Sequence, residues 1–88
     1  MFFINQAIQP KIVEIEITNK GCDKLNFEIK KGTTVTWINN KDSSALLELG
    51  KINQPTVLEE GATYSMKFNR EETFEYRCES KSGKIIVK

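Results

Sequence analysis

Cys22 and Cys78 are the side chains best suited to soft-metal or redox chemistry, and the chain has no histidine. That absence removes the commonest transition-metal ligand and the usual general base near neutral pH. The long interval between the two cysteines has no metal-motif spacing. Three fates are open to them: a disulfide, a soft-metal (Cu(I) or Zn) or thiol-redox pair, or two buried thiols packing as small hydrophobes. Ser43 and Ser44 lack a histidine to activate a hydroxyl nucleophile. Glu59-Glu60 and Glu71-Glu72 are acidic pairs, but they fall in predicted turns and read as solvated loops rather than acid–base catalysts. Lys81-Ser82-Gly83-Lys84 lacks the upstream glycine of a phosphate loop and runs from one strand into another, so no helix N-terminus follows it. Nothing here assembles an enzyme.

The elements that must position these residues are strands. Val13, Ile15 and Ile17 alternate with Glu14, Glu16 and Thr18, the period of a half-buried strand starting near Ile12. Asn19-Lys20-Gly21 is turn chemistry. Phe27 and Ile29 alternate with Glu28 and Lys30, and Lys31-Gly32 turns the chain. Residues 33–39 are rich in β-branched and aromatic types, and Trp37 among them reads as core. Residues 39–44 form a loop, and residues 45–49 a short apolar run. Leu46-Leu47 breaks strict alternation: adjacent leucines face opposite sides of a strand, so one of them is exposed or both faces are covered. An exposed leucine here would make an apolar patch of the kind that marks a partner site.

Beyond the break at Asn53-Gln54-Pro55, Tyr64, Met66 and Phe68 alternate with polar residues, which makes Met66 packing rather than ligand. Phe74, Tyr76 and Cys78 do the same. Ser80-Lys81-Ser82-Gly83 reads as a tight loop, and Ile85 and Val87 as a final strand. About seven short strands spaced roughly 8–12 residues apart suggest a β-sandwich or small barrel. Residues 1–10 lack alternation and end at Pro10, as an N-terminal arm or edge strand would; residues 11–88 form one domain.

The 88 residues bury one core. Thirteen basic and 12 acidic side chains, net +1, make no field to attract nucleic acid or an anionic membrane. No apolar run approaches the roughly 18 residues of a membrane helix. A chain natively starting at Met1 is expected in the cytoplasm; one whose Met1 replaced a removed signal is extracytoplasmic.

Five segments in order carry a family likeness. Ile29-Lys30-Lys31-Gly32-Thr33-Thr34-Val35-Thr36-Trp37-Ile38-Asn39 resembles the cupredoxin segment V-K-x-G-x-x-V-x-W-x-N. Asp42-Ser43-Ser44-Ala45-Leu46 resembles D-x-x-x-H. Residues 58–68 are similar to L-x-x-G-x-x-Y-x-x-x-F, residues 73–78 to G-x-Y-x-Y-x-C with Glu72 in the glycine position, and residues 83–87 to the closing G-x-I-x-V. The resemblance implies an all-β, Greek-key cupredoxin-like β-sandwich of about seven or eight strands.

The same resemblance implies a blue-copper site of two imidazoles, a thiolate and a weak axial thioether. Here the first imidazole position is Leu46, or Ala45 if the loop is one residue shorter. The thiolate falls on Cys78. The second imidazole falls on Lys81, and Gly83 arrives before any axial methionine. A leucine beside Cys78 would plug the cavity that a lost metal leaves. The expectation is a metal-free, plastocyanin-like domain with no cofactor, acting as an interaction module for another protein; a soft-metal or thiol-redox protein built on Cys22 and Cys78 is the alternative.

Overall fold

The computed structural model describes residues 11–50 and 55–88, so the expected arm at residues 1–10 lies outside the described residues. Nine strands run in chain order: β1 (Ile12–Thr18), β2 (Gly21–Cys22), β3 (Asn26–Ile29), β4 (Thr33–Asn39), β5 (Ala45–Glu48), β6 (Thr56–Leu58), β7 (Thr63–Phe68), β8 (Glu72–Cys78) and β9 (Lys81–Val87). No helix occurs among the described residues. The strands form two sheets, ordered β2-β1-β4-β7 and β3-β9-β8-β5-β6. The first strand pairs parallel with β4, and β3 pairs parallel with the last strand, β9. Hairpins β5–β6 and β8–β9 supply antiparallel neighbours.

Alternation explains the layering. β4 is buried at every second residue from Thr33 to Asn39, with Val35 and Trp37 facing the opposite sheet. Ile15, Ile17 and Phe68 join them from the first sheet, and Leu47, Tyr76, Cys78, Ile85 and Val87 meet them from the second. Each such aliphatic burial contributes about 1.5–3 kcal/mol.

One hydrogen-bond chain crosses this core. Trp37 Nε1 donates to the Tyr76 hydroxyl at 3.0 Å, and that hydroxyl donates to the Lys24 carbonyl at 3.0 Å. Both aromatic polar groups are therefore satisfied inside the sandwich. Burial pushes the Tyr76 hydroxyl up to about 12, against the lowering effect of the Trp37 bond. It stays protonated at neutral pH and remains a donor. Tyr76 also packs against Trp37 in a tilted arrangement at 5.6 Å and meets Phe27 edge-on at 6.3 Å.

The structure differs from the sequence reading in one hairpin. Residues 80–83 are not the tight loop expected from their composition; β9 already begins at Lys81, and the turn is Glu79-Ser80. Gly83 is not there to turn the chain. A Cβ at Gly83 would collide with the Leu25 backbone, which crosses against β9 just before β3 begins. Glycine is the residue that permits this approach.

Gly83→Ala is expected to destabilise the fold by about 2–4 kcal/mol, because backbone rather than a flexible side chain must give way. Urea unfolding followed by Trp37 fluorescence measures it. Tyr76→Phe should cost about 1–3 kcal/mol in the same assay by leaving the buried Trp37 N–H and the part-buried Lys24 carbonyl unpaired.

Candidate functional site

Cys22, Cys78 and the positions the resemblance assigns to copper ligands gather at one end of the sandwich, where β4 and β8 end and β2 and β5 begin, whereas Glu71-Glu72 lies at the opposite end of β8. Cys22 ends β2, opposite Ile17 of β1, and Cys78 ends β8, opposite Leu47 of β5. β2 lies in one sheet and β8 in the other. A disulfide joins Cys22 to Cys78 with a Cα–Cα separation of 6.1 Å, and Cys78 is fully buried. The bond thus staples the two sheets face to face. Neither sulfur is left as a thiol or thiolate.

The pleat decides which residues share the interior with Cys78. Ala45 and Leu47 are buried, whereas Leu46 between them is 37% exposed. Of the two positions the resemblance offered for the first imidazole, Ala45 therefore lies on the face of Cys78, and Leu46 points to solvent. The apolar filling beside the cysteine comes from Ala45 and Leu47. Lys81 is exposed at the start of β9, directly across the hairpin from Cys78. The segment that would carry a second imidazole and an axial thioether has shrunk to the two-residue turn Glu79-Ser80.

That turn holds the residues that sequence reasoning missed. Glu79 has φ of 59°, the left-handed conformation normally taken by glycine. The positive φ falls on the first central residue of this two-residue hairpin loop, and Ser80 does not share it. The side chain compensates for this backbone. Its carboxylate pairs with Lys41 and accepts the Leu46 N–H at 2.7 Å, while the Glu79 N–H donates to the Leu46 carbonyl at 2.9 Å. Glu79 thus extends the β8–β5 ladder by one rung, a carboxylate oxygen standing where a backbone carbonyl would be. No residue-type signal marks this position, since glutamate is disfavoured there.

Asn39 organises the facing loops. Its buried amide donates to the carbonyls of Ser43 (2.9 Å), Leu58 (2.9 Å) and Glu59 (3.2 Å). Its Oδ1 accepts the Lys41 N–H at 2.9 Å. The loop at 40–44 and the turn after β6 are thereby tied to one side chain.

The fold these elements define is cupredoxin-like. The chain is similar to a tryptophan-to-tyrosine variant of reduced amicyanin, with 19% identity over 92% of this chain and 86% of that one, at a TM-score of 0.77. It is similar to a purple cupredoxin from Nitrosopumilus maritimus, with 23% identity over 86% of this chain and 99% of that one, at 0.72. It also matches the Cu(I) form of a methionine-to-alanine variant of amicyanin, with 21% identity over 86% and 81% of the two chains, at 0.74. No family model and no curated protein matches the chain by sequence.

The residues present do not fit a copper ion. A blue-copper centre needs imidazole nitrogens and a thiolate; the equivalent end here offers Ala45, Leu47, the exposed Lys81 ammonium and a sulfur already bonded to carbon and to a second sulfur. Among the described residues, no group of three or more histidine, cysteine, aspartate or glutamate side chains is placed to hold a metal.

Reduction of Cys22–Cys78 is expected to cost about 4 kcal/mol, because the bond closes a long loop with 56 residues of sequence separation. Thermal melts with and without a phosphine reductant check this, and a coincident pair of curves would contradict it. Lys41 and the Leu46 N–H hold the Glu79 carboxyl below the usual glutamate range. Its contribution is complete above that range and disappears as pH falls through it and below. Glu79→Gln should therefore flatten the acid limb of the stability–pH curve measured by urea midpoints.

Proposed function

We propose that this chain is a metal-free cupredoxin-like interaction module that docks another protein, and that it is neither an electron carrier nor an enzyme. The observation that carries the reading is the bond from Cys78 to Cys22: the sulfur in the copper-thiolate position is consumed in a structural staple. Ala45 and Leu47 fill the space beside it with apolar side chains. Both choices favour a packed end over a ligand-exchanging one.

What remains at this end for an exchange of partners is surface. Leu46 is held outward in β5, and its register partner Val57 is 59% exposed. An outward apolar pair on a rigid sheet suits protein contact better than small-molecule chemistry. The near-neutral charge balance, +1 over the chain, supports a protein partner over nucleic acid or an anionic membrane. Of the two locations open to the chain, a persistent disulfide supports the extracytoplasmic one, because such bonds persist in oxidising compartments.

Copper supplies the test. Adding Cu(II) to the purified protein should produce no intense visible thiolate-to-copper absorption. Appearance of that band at stoichiometric copper would overturn the reading.

A further inference from the structure

Resting on the interaction-module reading, we propose that the corner built by Leu46 and Val57 is the docking surface, and that its partner is a protein segment carrying an apolar anchor flanked by lysine or arginine. Leu46 and Val57 sit directly opposite each other on β5 and β6, and the exposed Pro55 immediately precedes β6. Among the described residues the other large exposed hydrophobic is Ile12, alone at the far end of β1.

The corner is held rigid. Both backbone groups of Leu46 are bonded to Glu79, one to its N–H and one to its carboxylate. Glu79 adopts the left-handed backbone to do this. Such backbone strain persists where surrounding structure enforces it and is found at clamps and binding sites. A rigid anchor loses little entropy on docking.

Charge selects the partner. The loops that Asn39 ties together bring Asp42, Glu59 and Glu60 beside the corner, and all three are exposed. None forms an ion pair with a described residue. The remaining charges nearby largely compensate one another: Glu48 with Arg77 at 4.0 Å, and Glu79 with Lys41. Lys81, across the hairpin, is the one further cation of this end of the second sheet among the described residues. Five carboxylates against three cations leave an acidic fringe around an apolar centre. That fringe attracts a basic partner and repels a second copy of the same corner. Addition of a strand to the sheet edge is not the mode. β6 is three residues long and is preceded by Pro55, which has no N–H to offer. The partner reads the side-chain face.

Two synthetic amphipathic peptides, one of leucine and lysine and one of leucine and glutamate, test this by amide NMR titration of the oxidised protein. The leucine–lysine peptide should shift amides within 42–48 and 57–60. Its affinity should fall about tenfold or more in Leu46→Ser/Val57→Ser, the loss of a central anchor. It should also weaken in Glu59→Lys/Glu60→Lys and hold in Ile12→Ser. Unchanged near-ultraviolet ellipticity from Trp37 verifies that each variant is folded. Equal binding of the leucine–glutamate peptide, wild-type affinity in the folded double-serine variant, shifts centred elsewhere, or no binding would each overturn this surface. So would corner shifts that grow with protein concentration alone, the mark of self-association. The copper titration decides the metal-free reading separately.

Discussion

The bond between Cys22 and Cys78 is the constraint on which the end of the sandwich depends. Cys78 lies at the tip of a central strand of one sheet and Cys22 on the two-residue edge strand of the other. Two residues of ladder give β2 little hold of its own; the covalent link fixes it, and with it the crossing segment that follows. That segment presents the Lys24 carbonyl to Tyr76 and passes the Leu25 backbone against Gly83. Sheet packing, aromatic hydrogen bonding and the glycine requirement in β9 all meet at the place the disulfide secures.

Polar groups follow the same economy. A sandwich this small cannot leave many buried donors and acceptors unpaired, and it solves the problem with few residues. Asn39 serves three carbonyls and one N–H, and Trp37 and Tyr76 serve each other and the crossing segment. Among the described residues, Thr33 Oγ1 is the buried side-chain oxygen without a partner. It lies at the opposite end of β4 from Asn39, away from the disulfide. The well-satisfied end is the end where the chemistry of a cupredoxin would otherwise lie.

Much of the fold could be read from residue order, because β1, β7 and β8 each turn one face to the core and the other toward solvent, and that asymmetry writes itself as period two, while β4 was legible from its β-branched and aromatic types. Strands β2 and β6 could not: two or three residues carry no period, and β2 opens on Gly21, whose type reads as a turn. Gly83 misled for a physical reason. Glycine marks both tight turns and close backbone approaches, and only the position of Leu25 distinguishes them. The true turn uses Glu79, whose type argues against positive φ and whose justification is a contact with Leu46 that is distant in sequence. At the candidate site, the choice between Ala45 and Leu46 was a question of register by one residue, which the pleat resolves and residue types do not. Cys22 and Cys78 were visible as a pair, with their chemical state open between bridge, inert thiols and soft-metal use.

The sulfur of Cys78 is engaged by Cys22 and is therefore withheld from metal. Mass spectrometry of protein unfolded in the presence of an alkylating reagent, without reductant, tests it most directly. The expected result is an intact chain two hydrogens lighter than its sequence, carrying no alkyl groups, with a linked peptide pair containing Cys22 and Cys78 after digestion. Quantitative addition of two alkyl groups to the unreduced protein would contradict it.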